Sequence, residues 1–245
     1  MTARAFYSYR EPAQLAFLSA ILILTSTSAT AQREALEAFE NNQKMKAKAE
    51  ADAAKAEERR AVEERIRSTG QGADTQFFKA TAPGVVKDIR TGLEWMRCSL
   101  GQEWDDKSRT CKGFVSKYSW RQAAADANKI NLVGGYAKRA DWRLPTIVEL
   151  ESLRYCSNGF GSMQLNLPNS NDAKAQTCVD GSTLPTMSRI IFPGMQSGKM
   201  WYWSSTPFND SGHGAVVAWV VKFDRGEIGP NGLAGTESVR LVRTD

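Results

Sequence analysis

The chain contains a single histidine, His213, and four cysteines with no CxxC spacing. A zinc site normally combines closely spaced cysteine and histidine ligands, so this composition argues against one. A serine-hydrolase triad needs a histidine paired with the nucleophile, whereas His213 lies in a glycine-flanked loop. We therefore expect a protein that is not an enzyme, with no catalytic residues and no cofactor.

The sequence also lacks an apolar run of the roughly 20 residues that a membrane-spanning helix requires. Its apolar run, Leu15–Leu24, follows a segment with two arginines and precedes the small residues 29–31. This order predicts a secretory signal peptide over residues 1–31. We expect an exported protein, periplasmic or at the cell surface. It would touch the membrane only if the signal segment stayed in place as an uncleaved anchor.

Export changes the interpretation of the four cysteines, because disulfides persist in oxidising compartments. Three pairings are possible for Cys98, Cys111, Cys156 and Cys178. We favour the two pairs that are near in sequence, Cys98–Cys111 and Cys156–Cys178. Each would close a loop rich in glycine, asparagine and charge, and would stabilise the fold by about 3 kcal/mol.

Charge is small and unevenly distributed. The formal net charge is +5, and residues 33–76 contribute −1 whereas residues 77–245 contribute +5. The basic side chains are scattered along the chain, so the sequence predicts no nucleic-acid partner. Weak attraction to polyanions at a cell surface remains open.

Residues 33–67 lack glycine and proline and consist mostly of alanine, glutamate, lysine and arginine. This composition predicts a helix over 32–67. Leu36 and Phe39 begin a heptad seam, but Gln43 and Lys46 interrupt it. The helix is therefore either a solvated spacer or a coiled coil through which the chain forms a homo-oligomer.

A linker over 68–83 follows, with Phe77 and Phe78 packing on the outside of a domain that occupies 84–245. Within that domain, the patterns predict a hairpin over 85–97, a disulfide-bounded loop over 98–118, a helix over 119–129, a second helix after Pro145, long loops over 154–190 and 207–214, a turn over 224–226, and strands over 200–206, 215–223 and 238–243. This order is typical of an α+β fold with antiparallel strands.

The stretch Asp141–Leu153 organises the domain. Pro145 excludes a helical conformation at the residue before it, and Thr146 with Glu149 forms a capping box for the second helix, as Ser119 with Gln122 does for the first. Arg143 is expected to pair with Glu149 or Asp141. The remaining residues expected to organise the fold are Trp142 and Trp203.

Seven tryptophans could suggest sugar stacking, but most lie in strands or at helix starts, where core packing explains them better. Trp104 lies in a loop. Trp201 shares a strand face with Trp203, opposite Tyr202, and only one of these two faces is expected to be the principal core. Trp104 and Trp201 are thus the tryptophans that we expect to be exposed.

Several pieces of the chain occur in the order typical of one known family: residues 91–97, the Trp120 helix, residues 141–153, Phe192-Pro193, residues 202–206, residues 218–226 and residues 239–243. Taken together, they resemble the C-terminal domain of the Legionella collagen-like (Lcl) adhesins. The resemblance implies a C-type-lectin-like fold and an exported, multimeric protein that binds sulfated glycans. Similar domains occur on pilus-associated and phage-like receptor-binding proteins. The collagen-like stalk of these adhesins is absent here, and the charged helix stands in its place.

We therefore expect a non-enzymatic binding module that recognises a glycan, sulfated or not, or a protein partner at the cell envelope. The alternative is a structural or assembly component of an envelope or pilus-like complex that acts through the N-terminal helix. The candidate ligand-binding residues lie in loops: Trp104, Asn169, Asn171, Asp172, Asn209, Asp210 and His213. The asparagines and aspartates could also offer oxygens to calcium, but too few for its six to eight ligands, so we predict no metal.

Overall fold

The structure is a computed structural model that describes residues 29–69, 75–164, 174–195, 198, 200–208, 217–232 and 234–244. The chain divides into two compact units, residues 1–58 and residues 59–245. Its described parts contain three α-helices and several small antiparallel sheets, which confirms the α+β class.

Helix α1 runs from Ala29 to Thr69, in agreement with the helix predicted from composition. Side chains from 33 to 61 are exposed, and Arg33 forms an ion pair one turn along the helix with Glu37 at 3.2 Å. Val62 differs, because it is only 4% exposed and belongs to a core cluster of the second unit. It therefore serves domain packing rather than a helix–helix seam. Most of the predicted signal segment lies outside the described residues.

The first sheet has four strands in the order β1-β2-β3-β11. These are β1 (Phe78–Ala82), β2 (Val85–Asp88), β3 (Leu93–Met96) and β11 (Val242–Thr244). The hairpin of β2 and β3 was predicted. Strand β1 was not, because its residues were assigned to the linker.

Phe78 was expected to pack on the outside of the domain, but it lies in the core. It is 8% exposed and meets Phe192 edge-on, with 5.7 Å between ring centroids. The next three residues of β1 are exposed, so the strand has no alternating pattern that its sequence could reveal.

The second sheet has the order β10-β9-β8, with β8 (Trp201–Phe208), β9 (Val217–Lys222) and β10 (Glu227–Gly232). Strand β8 extends past the predicted end at Thr206. Strand β10 was missed, because its sequence EIGPNG is rich in glycine and proline, which are depleted in strands.

Both faces of this second sheet are buried. Tyr202 belongs to one core cluster and Trp203 to the other, and each is at most 2% exposed. The expectation that only one face could be core was therefore wrong. It failed because the sheet is covered on both sides along β8.

Two small hairpins occupy segments that were predicted as loops. Strands β4 (Glu103–Asp105) and β5 (Thr110–Lys112) form one, and β6 (Phe160–Gln164) and β7 (Lys174–Cys178) form the other. A disulfide closes each of them, Cys98–Cys111 and Cys156–Cys178, which is the favoured pairing. These strands are short and lie between polar turn residues, so periodicity did not reveal them.

Helices α2 (Trp120–Leu132) and α3 (Ile147–Glu151) both begin at capping boxes, as predicted. In α2 the box is formed by Ser119 and Gln122, and in α3 by Thr146 and Glu149. Helix α3 has only five residues, yet Leu150 and the following Leu153 are fully buried.

The Asp141–Leu153 stretch is anchored from both sides. Arg143 makes two 2.7 Å hydrogen bonds to the Glu149 carboxylate, which is one of the two partners expected for it. Its backbone also pairs with Val242, the first residue of β11. Trp142 is 1% exposed and donates its indole N–H to the carbonyl of Tyr136.

A candidate binding groove at Trp104

Each of the two tryptophans expected to be exposed lines a cavity and is partly buried in its wall. The larger cavity, which we name the Trp104 groove, has a volume of about 990 Å³. This size suits a small ligand or one to a few sugar rings.

Three segments that are distant in sequence form the Trp104 groove. They are the turn between β1 and β2 (81–83), the disulfide-closed segment 98–104, and the end of α2 with the residues that follow it, up to Lys138. Apolar side chains such as Met96 and Leu100 form part of the lining. The groove therefore combines an apolar wall with polar groups at its margins.

Gly84 sets how closely the aromatic side chains of the groove approach one another. Its φ is +70°, and a Cβ added there would lie 2.0 Å from the Tyr136 hydroxyl and 2.8 Å from Cβ of Trp104. Any side chain would collide with both residues in a backbone conformation that already favours glycine. Trp104 and Tyr136 can meet at this point because residue 84 is glycine.

Trp104 is held from one side by Arg97. The guanidinium carbon of Arg97 lies 4.4 Å from the centroid of the indole ring, and the indole N–H donates to Asp106 at 3.3 Å. Arg97 itself donates to the carbonyls of Ile190 and Ile191 at 2.9 and 2.8 Å. The ring is therefore fixed in orientation by Asp106 of its own hairpin and by Arg97 from outside it.

Positive charge accumulates around Arg97, the arginine that lies over the Trp104 ring. Burial lowers the pKa of Arg97, and the charges of Arg109 and Arg240 lower it further. Arg240 is 1% exposed and donates to the carbonyls of Met96 and Arg97 and to Ser99. Guanidinium groups so close together favour an anionic group nearby.

The turn that carries Trp104 is held by Asp105. Its carboxylate accepts from Ser108 at 2.8 Å and from the backbone N–H of Lys107 at 3.1 Å, and it pairs with Lys112 across the hairpin. The hydrogen bond from Lys112, followed by that from Ser108, lowers the pKa of Asp105 to about 2. The turn is thus stabilised by a carboxylate that stays ionised at neutral pH.

Tyr136 supplies a second aromatic ring and a hydroxyl. Burial raises the pKa of Tyr136, so the phenol remains neutral and can donate a hydrogen bond. Its hydroxyl lies 3.4 Å from the carbonyl of Pro83, and its ring meets Trp142 edge-on at 6.0 Å. The Trp142 core contact thereby positions a groove residue.

Two exposed side chains of opposite charge, Glu103 and Lys138, also line the groove. Neither makes a side-chain hydrogen bond or ion pair within the part of the chain that the structure describes. Carboxylate and ammonium groups that are free in this way can exchange water for the hydroxyl groups of a ligand.

The second cavity, the Trp201 pocket, has a volume of about 820 Å³. It opens at the end of the second sheet, where Lys222 lies over the ring of Trp201, 4.3 Å from its centroid. Lys222 also bonds to Glu227 at 3.2 Å.

Of the loop residues proposed to bind a ligand, the structure places only Trp104. The other six lie outside the described residues: Asn169, Asn171, Asp172, Asn209, Asp210 and His213. Their ligand-binding role stays a prediction. Over the described ranges, no three or more His, Cys, Asp or Glu side chains are grouped so that they could hold a metal ion.

The sequence-based reasoning missed Tyr136 as a groove residue and Gly84 as the residue that lets Trp104 and Tyr136 approach. One signal could have found Tyr136, the Gly134-Gly135 pair directly before it. Gly135 has φ +76°, and a Cβ there would lie 1.8 Å from the Arg139 carbonyl oxygen. The tight loop that this glycine permits brings Tyr136 back toward the sheet.

None of the helices in the described ranges is long and apolar enough to cross a membrane.

Comparison with known proteins agrees with the resemblance noted from sequence. A search of the curated proteins found no match. The family model of the Lcl C-terminal domain matches residues 84–243, a range that includes Gly84 and the groove residues Trp104 and Tyr136. Because this match covers more than half of the chain, the chain belongs to the Lcl C-terminal domain family.

Proposed function

We propose that this protein is an exported, non-enzymatic, adhesin-like module that binds a glycan in the Trp104 groove. The observation that carries the proposal is the meeting of two aromatic residues, Trp104 and Tyr136, in one groove of about 990 Å³. Aromatic rings offer flat apolar faces to sugar rings, and the free charges of Glu103 and Lys138 offer partners to sugar hydroxyls.

Family membership supports the adhesin-like role, since the Lcl C-terminal domain takes its name from adhesins. The two disulfides are compatible with an oxidising compartment, the periplasm or the cell surface. We propose on these grounds that the partner is met outside the cytoplasm.

A sulfated glycan is the form of ligand that the charge distribution favours. Residues 77–245 carry a net charge of +5, Arg97 lies over the face of the Trp104 ring, and the charge of Arg109 acts on Arg97. Attraction between exposed charges is screened at high ionic strength. Binding to a sulfated polysaccharide should therefore weaken as salt is raised, whereas binding to a neutral glycan should change little.

The test is a glycan array probed with the protein and with Trp104→Ala. Loss of the Trp104 ring should abolish binding to the recognised glycans. Phe114→Ala is the matched control, because Phe114 is an aromatic residue of the same disulfide-stapled region, is 83% exposed and does not line the groove. Equal binding by Trp104→Ala and by the control would overturn the assignment of the groove.

A protein partner is the outcome to consider if no glycan on the array is bound. Pull-down from envelope extracts, with and without a chelator, would then identify that partner and show whether calcium takes part. Retention by the Trp104→Ala variant would place the protein-binding surface elsewhere.

A second candidate function, assembly through the N-terminal helix, is favoured by exposed apolar side chains on α1. Leu36, Phe39 and Met45 are between 55% and 72% exposed. A second helix of the same chain, or of an envelope protein, could cover them and form a homo-oligomer. Deletion of residues 33–58 tests this, since it spares Val62 and the core cluster. If the oligomeric state and localisation survive the deletion, the helix is only a spacer.

A further inference from the structure

The Trp201 pocket contains an internally paired part and an unpaired part. Trp201, Lys222 and Glu227 are direct neighbours across β8, β9 and β10, so their side chains share one face of the sheet. Lys222 forms an ion pair with Glu227 at 3.2 Å and a cation–π contact with the face of the indole ring. These three side chains together carry no net charge, and they form one wall of the pocket.

Two arginines at the same pocket are unpaired. Arg189 and Arg225 are exposed, and their guanidinium groups make no hydrogen bond or ion pair within the described ranges. A guanidinium binds a carboxylate with two parallel hydrogen bonds, which makes arginine well suited to organic anions. The two unpaired arginines can therefore bind a carboxylate in this pocket.

Asp224 restricts which anion can enter. It lines the same pocket, and one oxygen of its carboxylate is buried without a hydrogen-bond donor among the described residues. A fixed negative charge beside the two arginines repels a ligand with several anionic groups. Its other oxygen, which is not buried, can accept a hydrogen bond from a ligand that carries a donor next to its single carboxylate.

The pocket is also lined by apolar side chains, those of Leu184, Pro185, Met200 and Trp201. We infer that the Trp201 pocket is a second ligand site, which binds a small organic monocarboxylate with a hydroxyl or ammonium donor beside the carboxylate. Arg189 and Arg225 bind the carboxylate, Asp224 accepts from the donor, and the apolar side chains contact the carbon skeleton. This site is independent of the Trp104 groove and of the glycan proposed for it.

The experiment measures binding of small probes to the full chain by calorimetry and by the shift of the Trp201 indole N–H signal. Glucuronate and leucine carry both required groups, glucose lacks the carboxylate, and hexanoate lacks the donor. We expect glucuronate or leucine to bind, and whichever is bound distinguishes a sugar acid from an amino acid. Glucose and hexanoate should bind at least about tenfold more weakly, because each loses a charge-assisted hydrogen bond.

Variants then assign the residues. Arg189→Gln with Arg225→Gln should weaken binding at least about tenfold, since both carboxylate partners are lost. Arg121→Gln is the matched control, because Arg121 is an exposed arginine on α2 that does not line the pocket. Asp224→Asn should weaken the binding of glucuronate or leucine, yet strengthen that of hexanoate. Thermal unfolding of each variant verifies that it remains folded.

Three results would overturn the inference. The first is that neither glucuronate nor leucine binds, and the second is that the double arginine variant binds them as well as the Arg121→Gln control. The third is tighter binding of inorganic sulfate than of either probe, which would make the pocket a general anion site. Loss of glycan binding in Trp104→Ala with retained probe binding would separate this site from the proposed function.

Discussion

Glu149 receives two hydrogen bonds of 2.7 Å from the guanidinium of Arg143, one on each carboxylate oxygen. One of those oxygens also accepts the backbone N–H of Thr146 at 2.8 Å and so caps helix α3. The buried Glu149 carboxylate thus connects Arg143, whose backbone pairs with β11, to the start of helix α3. The pair holds together the stretch on which both core clusters depend.

Glu149→Gln should therefore destabilise the domain strongly. The amide can still cap α3, but it leaves Arg143 without a negative partner. Breaking a buried ion pair from one side costs about 3 kcal/mol. Urea unfolding followed by tryptophan fluorescence would measure this loss. Glu50→Gln on the exposed surface of α1 is the control, and an equal unfolding midpoint for the two variants would contradict the role of Glu149.

Gly84→Ala should lower stability and deform the Trp104 groove. The left-handed conformation alone costs a residue with Cβ roughly 1–2 kcal/mol, and the collision with Tyr136 and Trp104 adds to it. Gly159→Ala is the matched control, since Gly159 has φ +88° but nothing within 4 Å of an added Cβ. Calorimetric unfolding and glycan binding should both be impaired more at 84 than at 159. Similar losses at the two sites would show that the close approach to Tyr136 has no consequence.

The two disulfides should contribute similarly to stability but differently to binding. They close loops with sequence separations of 13 and 22 residues, so each removal costs about 3 kcal/mol by loop entropy. Replacing Cys98 and Cys111 with serine loosens the hairpin that carries Trp104, so glycan affinity should fall. Replacing Cys156 and Cys178 leaves that hairpin closed and should leave glycan affinity intact. Binding at a temperature where both variants remain folded is the measurement, and equal affinity of the two variants would refute the difference.

The turn of the β4–β5 hairpin should be sensitive to acid. Because the pKa of Asp105 is lowered from 3.8 to about 2, its ionised form stabilises the folded turn. That contribution is complete above pH 3.8 and is lost as pH falls toward 2. The indole N–H signal of Trp104 should report a transition near pH 2 in NMR spectra. Asp105→Asn should remove this transition, and persistence of the same transition in that variant would assign it to another group.

Local chemistry made several features readable from the sequence. Both capping boxes depend on residues three apart, the β2–β3 hairpin on a short turn, and the disulfide pairing on loops of modest length. Arg143 and Glu149 are six residues apart, so their pairing was also within reach of a local argument. The family resemblance followed from ordered pieces of this kind, while the C-type-lectin-like fold that it implies stays a prediction.

Only the tertiary structure revealed the groove and the residues that form it. Gly84, Trp104 and Tyr136 lie on three separate segments, and no spacing in the sequence brings them together. Arg97 is likewise held by residues far away in sequence, because it donates hydrogen bonds to the carbonyls of Ile190 and Ile191. Long-range packing buried both faces of β8. Strands β1 and β10 pair with their sequence neighbours β2 and β9, and they were missed because their residues show no strand-like pattern. The sequence by itself determined where the chain turns, caps and crosslinks, because those interactions are local. The cavities arise where distant segments meet, and so they depend on the whole fold.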